Sequence, residues 1–169
     1  MTHPLILTAL LADADQARFD ALRQAHFPAH LNHIAAHVTL FHHLPGDEFE
    51  AIDHALRQLA AHTAPAQAEV GGLRSLGRGV AFSLASPVLA TVRASLARAF
   101  HDRLTAQDRQ GFRPHVTIQN KVTPAEATAL LTRMQAGFTP FTVGVEGLSL
   151  WHYQGGPWTP AGRYRFGLA

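Results

Sequence analysis

Apolar and polar positions follow two rhythms along this chain, and the rhythms succeed each other in the same order twice. Residues 4–11 are strongly apolar and loosely alternating, which predicts a buried first strand. Asp13 then opens a helix to about Ala25, with Gln16 three residues on as its capping-box partner. A polar stretch around Pro28 leads into a second apolar run, a strand over 35–42. Pro45-Gly46 turns the chain, Asp47 opens a helix to about Thr63, and Pro65 breaks it. A strand follows from about Gln67 to Leu76, and Gly77-Arg78-Gly79 predicts a tight hairpin turn.

The second half repeats this order. A strand at 80–85 precedes Ser86-Pro87, an N-cap with Pro at the first helical position, and the helix runs to about Thr105. A polar loop through Phe112-Arg113-Pro114 enters a strand at about 114–120. Thr123-Pro124-Ala125-Glu126 is a full capping signature for a helix ending near Gly137. Strands at 141–152 and 161–168, separated by Gly155-Gly156-Pro157, close the chain. Residues 1–77 and 78–169 thus share strand, helix, strand, helix, strand. The expected fold is α+β: one bilobal domain over 1–169, two antiparallel sheets flanked by helices, with a cleft between the lobes.

The middle strand of each half carries nearly the same tetrapeptide, His37-Val38-Thr39-Leu40 and His115-Val116-Thr117-Ile118. On a strand, residues two apart share a face, so each His stands beside its Thr while the aliphatic residues point into a core. A duplicated unit places equivalent strands about a pseudo-two-fold axis. Two imidazoles and two hydroxyls would then face one cleft, which is what splitting a phosphodiester requires. An imidazole titrates near neutrality, so one ring of such a pair can be neutral while the other is protonated.

Composition sharpens this reading. With 12 His in the chain, chance supplies roughly 0.3 matches to His-any-Thr-aliphatic, and two copies sharing the same Val exceed that. The absence of Cys excludes disulfides, thiolate catalysis and Cys-based zinc sites. His33 and His37 are four apart, with His30, His42 and His43 nearby. That spacing makes a metal site when both residues lie on one helix. Here the segment is β-like from residue 35, with no carboxylate close in sequence, so no metal and no cofactor are expected. A chain of 169 residues buries roughly 70% of its unfolded surface and needs no staples. The apolar start lacks a preceding Lys or Arg and is followed by Asp13 and Asp15, so it reads as a strand and not as a signal peptide. A soluble, cytoplasmic monomer without membrane contact is expected. The net charge of +2 gives no sign of a highly basic nucleic-acid-coating protein, and 13 Arg against the single Lys121 is better explained by genome composition than by phosphate binding.

The paired motifs and their flanks, His37-Val-Thr-Leu-Phe-His-His-Leu-Pro-Gly46, Arg113-Pro-His-Val-Thr-Ile-Gln-Asn-Lys-Val122 and Trp151-His-Tyr-Gln-Gly-Gly-Pro-Trp158, resemble the 2H phosphoesterase superfamily. More narrowly, the chain resembles its 2′-5′ RNA ligase-like branch. The resemblance implies an enzyme that opens 2′,3′-cyclic phosphates on RNA ends or nucleotides. Under it, His37 would protonate the leaving ribose oxygen, His115 would activate water, and Thr39 and Thr117 would hold the phosphoryl oxygens. Phe41, His43, Arg113, Tyr153 and Trp158 are further candidates for substrate contact. A module that binds RNA ends or nucleotides without turnover, or an enzyme that joins 2′-5′ RNA ends, are the alternatives.

Overall fold

The computed structural model describes residues 2–167, so Leu168, the end of the last expected strand, lies outside the described residues. The elements follow the expected order: β1 (Leu5–Leu11), α1 (Asp13–His26), β2 (Thr39–Leu44), α2 (Phe49–Ala61) and β3 (Ala66–Ser75), then β4 (Val80–Ala85), α3 (Pro87–Ala99), β5 (His115–Gln119), α4 (Pro124–Ala136), β6 (Phe141–His152) and β7 (Thr159–Arg165).

The α+β class holds, and the two antiparallel sheets are joined into one seven-stranded sheet, in the order β2-β1-β6-β3-β4-β5 with β7 also on β6. β6 is long enough to serve both parts. Its start pairs with β3 from Phe141 to Val145, and its end pairs with β7 from Gly147 to His152. Its other edge pairs with β1 from Val145 to His152. One lobe is therefore β2-β1-β6-β7 and the other β6-β3-β4-β5. The sequence halves interleave, since each sends its third strand into the other lobe.

The pairing is two-fold symmetric. β1 lies between β2 and β6 as β4 lies between β5 and β3, and β3 meets β6 on the axis. The symmetry reaches individual residues. Leu7 pairs with Phe41 and Thr8 with Thr39, with a register shift between them; Val80 pairs with Gln119 and Ala81 with Thr117, with a shift at the same step. Each motif strand thus carries a β-bulge immediately after its Thr, and both are edge strands. Bulges at such places re-aim side chains.

Local signals explain the helix ends. Ser86 accepts a hydrogen bond from the Leu89 amide at 3.2 Å, and Thr123 and Glu126 form the full capping box. The box expected at Asp13 is absent: Ala12 is the N-cap and Asp13 already lies in the first turn, where its charge meets the helix dipole. Gln16 instead donates to the Ala36 carbonyl at 2.7 Å, tying α1 to the segment ahead of β2. α2 starts at Phe49, after a 3-10 turn over Gly46–Glu48, and α3 ends at Ala99, followed by a 3-10 turn over His101–Arg103. β2 starts only at Thr39, although the Val38 carbonyl still accepts from the Ala9 amide at 2.9 Å. Gly77, at φ +81°, makes the β3–β4 turn, and a Cβ on Gly79 would collide with the Gln119 carbonyl. One continuous core, including Leu7, Phe41, Leu56, Val116, Leu148 and Leu150, underlies both lobes. No described helix is long and apolar enough to cross a membrane.

Candidate active site

The aliphatic residues of the two motifs anchor the site. Val38, Leu40, Val116 and Ile118 are each at most 2% exposed, so the opposite faces of both strands are committed to the open side. His37, Thr39, His115 and Thr117 stand there, half-buried. Each imidazole is oriented by the same device. His37 Nδ1–H donates to the Ala35 carbonyl at 2.8 Å, and His115 Nδ1–H donates to the Arg113 carbonyl at 2.9 Å. In each case the acceptor lies two residues back in the chain. With Nδ1 committed as donor, Nε2 is left for chemistry, and a neutral ring presents it as a base.

Two buried arginines pin the motif strands, each from the helix that follows the other lobe's inner strand. Arg23 of α1 donates from Nη1 to the Thr117 carbonyl at 3.0 Å, while its Nε holds Asn32 Oδ1 at 2.8 Å. Arg93 of α3 donates from Nε to the Leu40 carbonyl at 3.2 Å and from Nη2 to the Asp108 carbonyl. The guanidiniums lie over Phe27 and Phe41, at 4.1 and 4.5 Å from the ring centroids. The carbonyls they satisfy sit at the bulges, where ladder pairing is interrupted. α1 of the first lobe thus supports the motif of the second, and α3 of the second supports that of the first.

The cover over the two rings differs. The Trp158 ring rests on His37 with centroids 4.7 Å apart, and Trp158 is backed by Trp151 at 6.1 Å. Desolvation there pushes the His37 imidazole down to about 4, against the support of the Ala35 carbonyl, with Arg23, His115 and His42 lowering it further. His115 is also held below 6.5, chiefly by burial, then by Arg74, His42 and Arg113. Arg74 on β3 reaches to 3.5 Å from His115 Nδ1; the shorter bond to the Arg113 carbonyl defines that nitrogen as a donor. Beside His37 opens a cavity of about 330 Å³, lined among others by Thr8, Ser149, Trp151, Trp158 and Arg163. Thr39, Thr8, Ser149 and Arg163 form a cross-strand row through direct register pairs. Trp151 Nε1–H donates to Thr8 Oγ1 at 2.9 Å, which fixes the indole in that wall.

Of the residues singled out from sequence, Trp158 lies directly on His37. Arg113 supplies the carbonyl for His115, with its own side chain exposed. Tyr153 is exposed on the β6–β7 connection. Phe41, expected at the substrate, is fully buried beneath Arg93: the bulge turns it to the core opposite Leu7. His43 lines a separate hollow with Asp47 and Arg103, whereas His42 affects both motif imidazoles. Sequence reasoning missed Arg23, Arg74, Arg93 and Asp108 as parts of the site. They are remote in sequence from the motifs they serve, and no local pattern marks them. Among the described residues, no three His, Asp or Glu side chains are grouped to hold a metal ion.

The model of the 2′-5′ RNA ligase superfamily matches residues 11–157. Solved structures share the fold. TT0787 of Thermus thermophilus matches with a TM-score of 0.68 at 17% identity, covering 97% of this chain and 98% of its own. LigT of E. coli complexed with 3′-AMP matches at 0.65 and 16% identity, covering 99% and 100%. A structure described as a phosphoesterase matches at 0.63 and 16%, again covering 99% and 100%. No curated protein matches the chain by sequence. With the family model spanning nearly the whole chain, the protein belongs to the 2′-5′ RNA ligase superfamily of 2H phosphoesterases.

Proposed function

We propose that the protein is a phosphodiesterase that opens 2′,3′-cyclic phosphates on RNA ends or nucleotides, using its two imidazoles and no metal. The observation that carries this reading is the pair of imidazoles anchored through Nδ1, each beside a threonine hydroxyl, on equivalent edge strands. One neutral Nε2 takes a proton from water as its oxygen attacks phosphorus. The other ring, protonated, gives its Nε2 proton to the ribose oxygen as the P–O bond breaks, leaving a phosphomonoester and a free hydroxyl. Thr39 and Thr117 donate to the non-bridging oxygens, where charge accumulates in the transition state.

Burial lowers both imidazoles, pushing His37 down to about 4 and holding His115 below 6.5. With His37 as base and His115 as acid, the reverse of the assignment implied by resemblance, each ring would work in the protonation state its surroundings favour. The cavity beside His37 is of a size for a small ligand, and Trp158 offers a face on which a base can stack.

A panel of 2′,3′-cyclic nucleotides, cyclic-phosphate-ended RNA and 2′-5′-linked oligomers, assayed in excess chelator with product identification by phosphorus NMR, tests this. Turnover of cyclic phosphates in chelator is expected. A strict need for added divalent metal, or no turnover of any member, overturns it.

A further inference from the structure

The bulge after Thr39 has a consequence beyond the catalytic pair. Phe41 turns to the core with Leu7, Leu44 does so with Leu5 across a second register shift, and between them His42 stands exposed. Its side chain is 46% exposed, and its Nδ1 lies 3.2 Å from the carboxylate of Asp108, itself 1% exposed. Asp108 also accepts from the His42 and His43 amides, at 2.9 and 2.8 Å. The loop bearing it is held by Arg93 through the Asp108 carbonyl. A buried carboxylate therefore commits Nδ1–H and leaves Nε2 of His42 to the cleft. There the ring is close enough to both His37 and His115 to repel their protonated forms. At the equivalent place in the other lobe, three residues beyond its Thr, stands Asn120, which carries no charge.

We propose that His42, held by Asp108, binds a second phosphoryl group of the substrate, the one on the 5′ side of the nucleoside bearing the cyclic phosphate. The inference rests on the cyclic-phosphate reading above. In such a nucleoside, the cyclic phosphorus lies between two arms of the ribose: C1′ with the base, and C4′ with the 5′ substituent. The site has the same layout. The cavity with Trp158 lies at the His37 end of the motif, and His42 stands beyond Thr39 at the other end, one pleat repeat or about 6–7 Å along the strand. A base lodged in the cavity directs the 5′ arm toward His42. An imidazole backed by a carboxylate offers an anionic phosphate a charge-assisted hydrogen bond through Nε2–H. The preferred substrate is then 5′-phosphorylated, either an RNA end, where that phosphate is the next internucleotide link, or a nucleotide with a free 5′-phosphate.

Three substrates separate the possibilities in chelator: uridine 2′,3′-cyclic phosphate with a 5′-hydroxyl, the same with a 5′-phosphate, and a dinucleotide ending in the cyclic phosphate. The 5′-phosphorylated forms are expected to exceed the 5′-hydroxyl form in kcat/KM by about tenfold or more, and His42→Ala should bring that ratio close to one. Which of the two is preferred identifies an RNA end or a free nucleotide as the source. A wild-type ratio near one, or a ratio that survives His42→Ala, overturns the inference. Calorimetry with cytidine 3′-phosphate and cytidine 3′,5′-bisphosphate gives the same comparison without turnover. If no cyclic phosphate is hydrolysed, yet the bisphosphate binds about tenfold tighter and His42→Ala removes that advantage, the anion site stands and the cyclic-phosphodiesterase reading falls. Hydrolysis without any 5′-phosphate advantage leaves that reading standing and removes the anion site.

Discussion

The two halves of the site share a backbone and differ in what covers it. Each has the same motif, the same bulge, the same Nδ1 anchor on a carbonyl two residues back, and a buried arginine from the opposite lobe on its strand. In the first half, Trp158 closes over His37, and His42 with Asp108 extends the row. In the second, His115 faces Arg74, and among the described residues no aromatic ring is stacked on it. The symmetric part gives both halves the same imidazole and hydroxyl pair. The unsymmetric part surrounds the two rings differently, which would favour one as acid and the other as base in the proposed reaction.

The strongest way to break the comparison is to remove one partner. His37→Ala and His115→Ala should each lower kcat for cyclic-phosphate hydrolysis by about 10²- to 10⁴-fold. The double variant should lose little more, because the rings act as one unit. Single-turnover rates on all three variants decide this, and multiplicative losses would mean that the halves work independently.

The arginine clamps come next. Arg23→Met and Arg93→Met each leave a buried bulge carbonyl without its donor, at a cost of about 1–3 kcal/mol. Urea unfolding should register comparable losses for the two. A large loss for one alone would show that the support is not reciprocal.

Trp158→Ala tests the asymmetry directly. Opening the cover should raise the His37 imidazole from about 4 toward 6.5, with a smaller change at His115. Imidazole proton shifts followed through a pH titration report both rings. Equal movement of the two would assign the asymmetry to something other than the indole.

The remaining tests vary pH. For free enzyme, kcat/KM should rise as pH climbs through about 4 and fall as it climbs through the His115 value, below 6.5. Stability should move in a related window. His37 binds a proton less readily when folded than unfolded, so the unfolded chain gains protons first on acidification. The contribution is complete above 6.5 and is lost as pH falls toward about 4. Denaturant midpoints across that range should decline, and more shallowly in Trp158→Ala.

Much of this arrangement is legible in the chain. The strand–helix order, the capping box at Thr123, the N-cap at Ser86, the bounds of β4 and β6 and the duplicated motif all appear as expected, because each depends on residues within a few positions of one another. The departures share a cause. Strict alternation puts Phe41 at the substrate and favours His43 over His42, but a bulge inserts a residue there and shifts both. Asp13 has the composition of a cap, yet the chain enters α1 one residue earlier, and Gln16 has a distant carbonyl to satisfy.

The sequence alone determined which side chains stand together on the open faces, since His and Thr two apart on a strand must share a face and the aliphatic residues between them must seek a core. Only the tertiary structure decided how those side chains behave. The clamps by Arg23 and Arg93, the indole over His37 and the carboxylate behind His42 join residues from 15 to more than 100 positions apart. Burial and charge are properties of such packed neighbourhoods, so proton affinity could be read only once the lobes had come together.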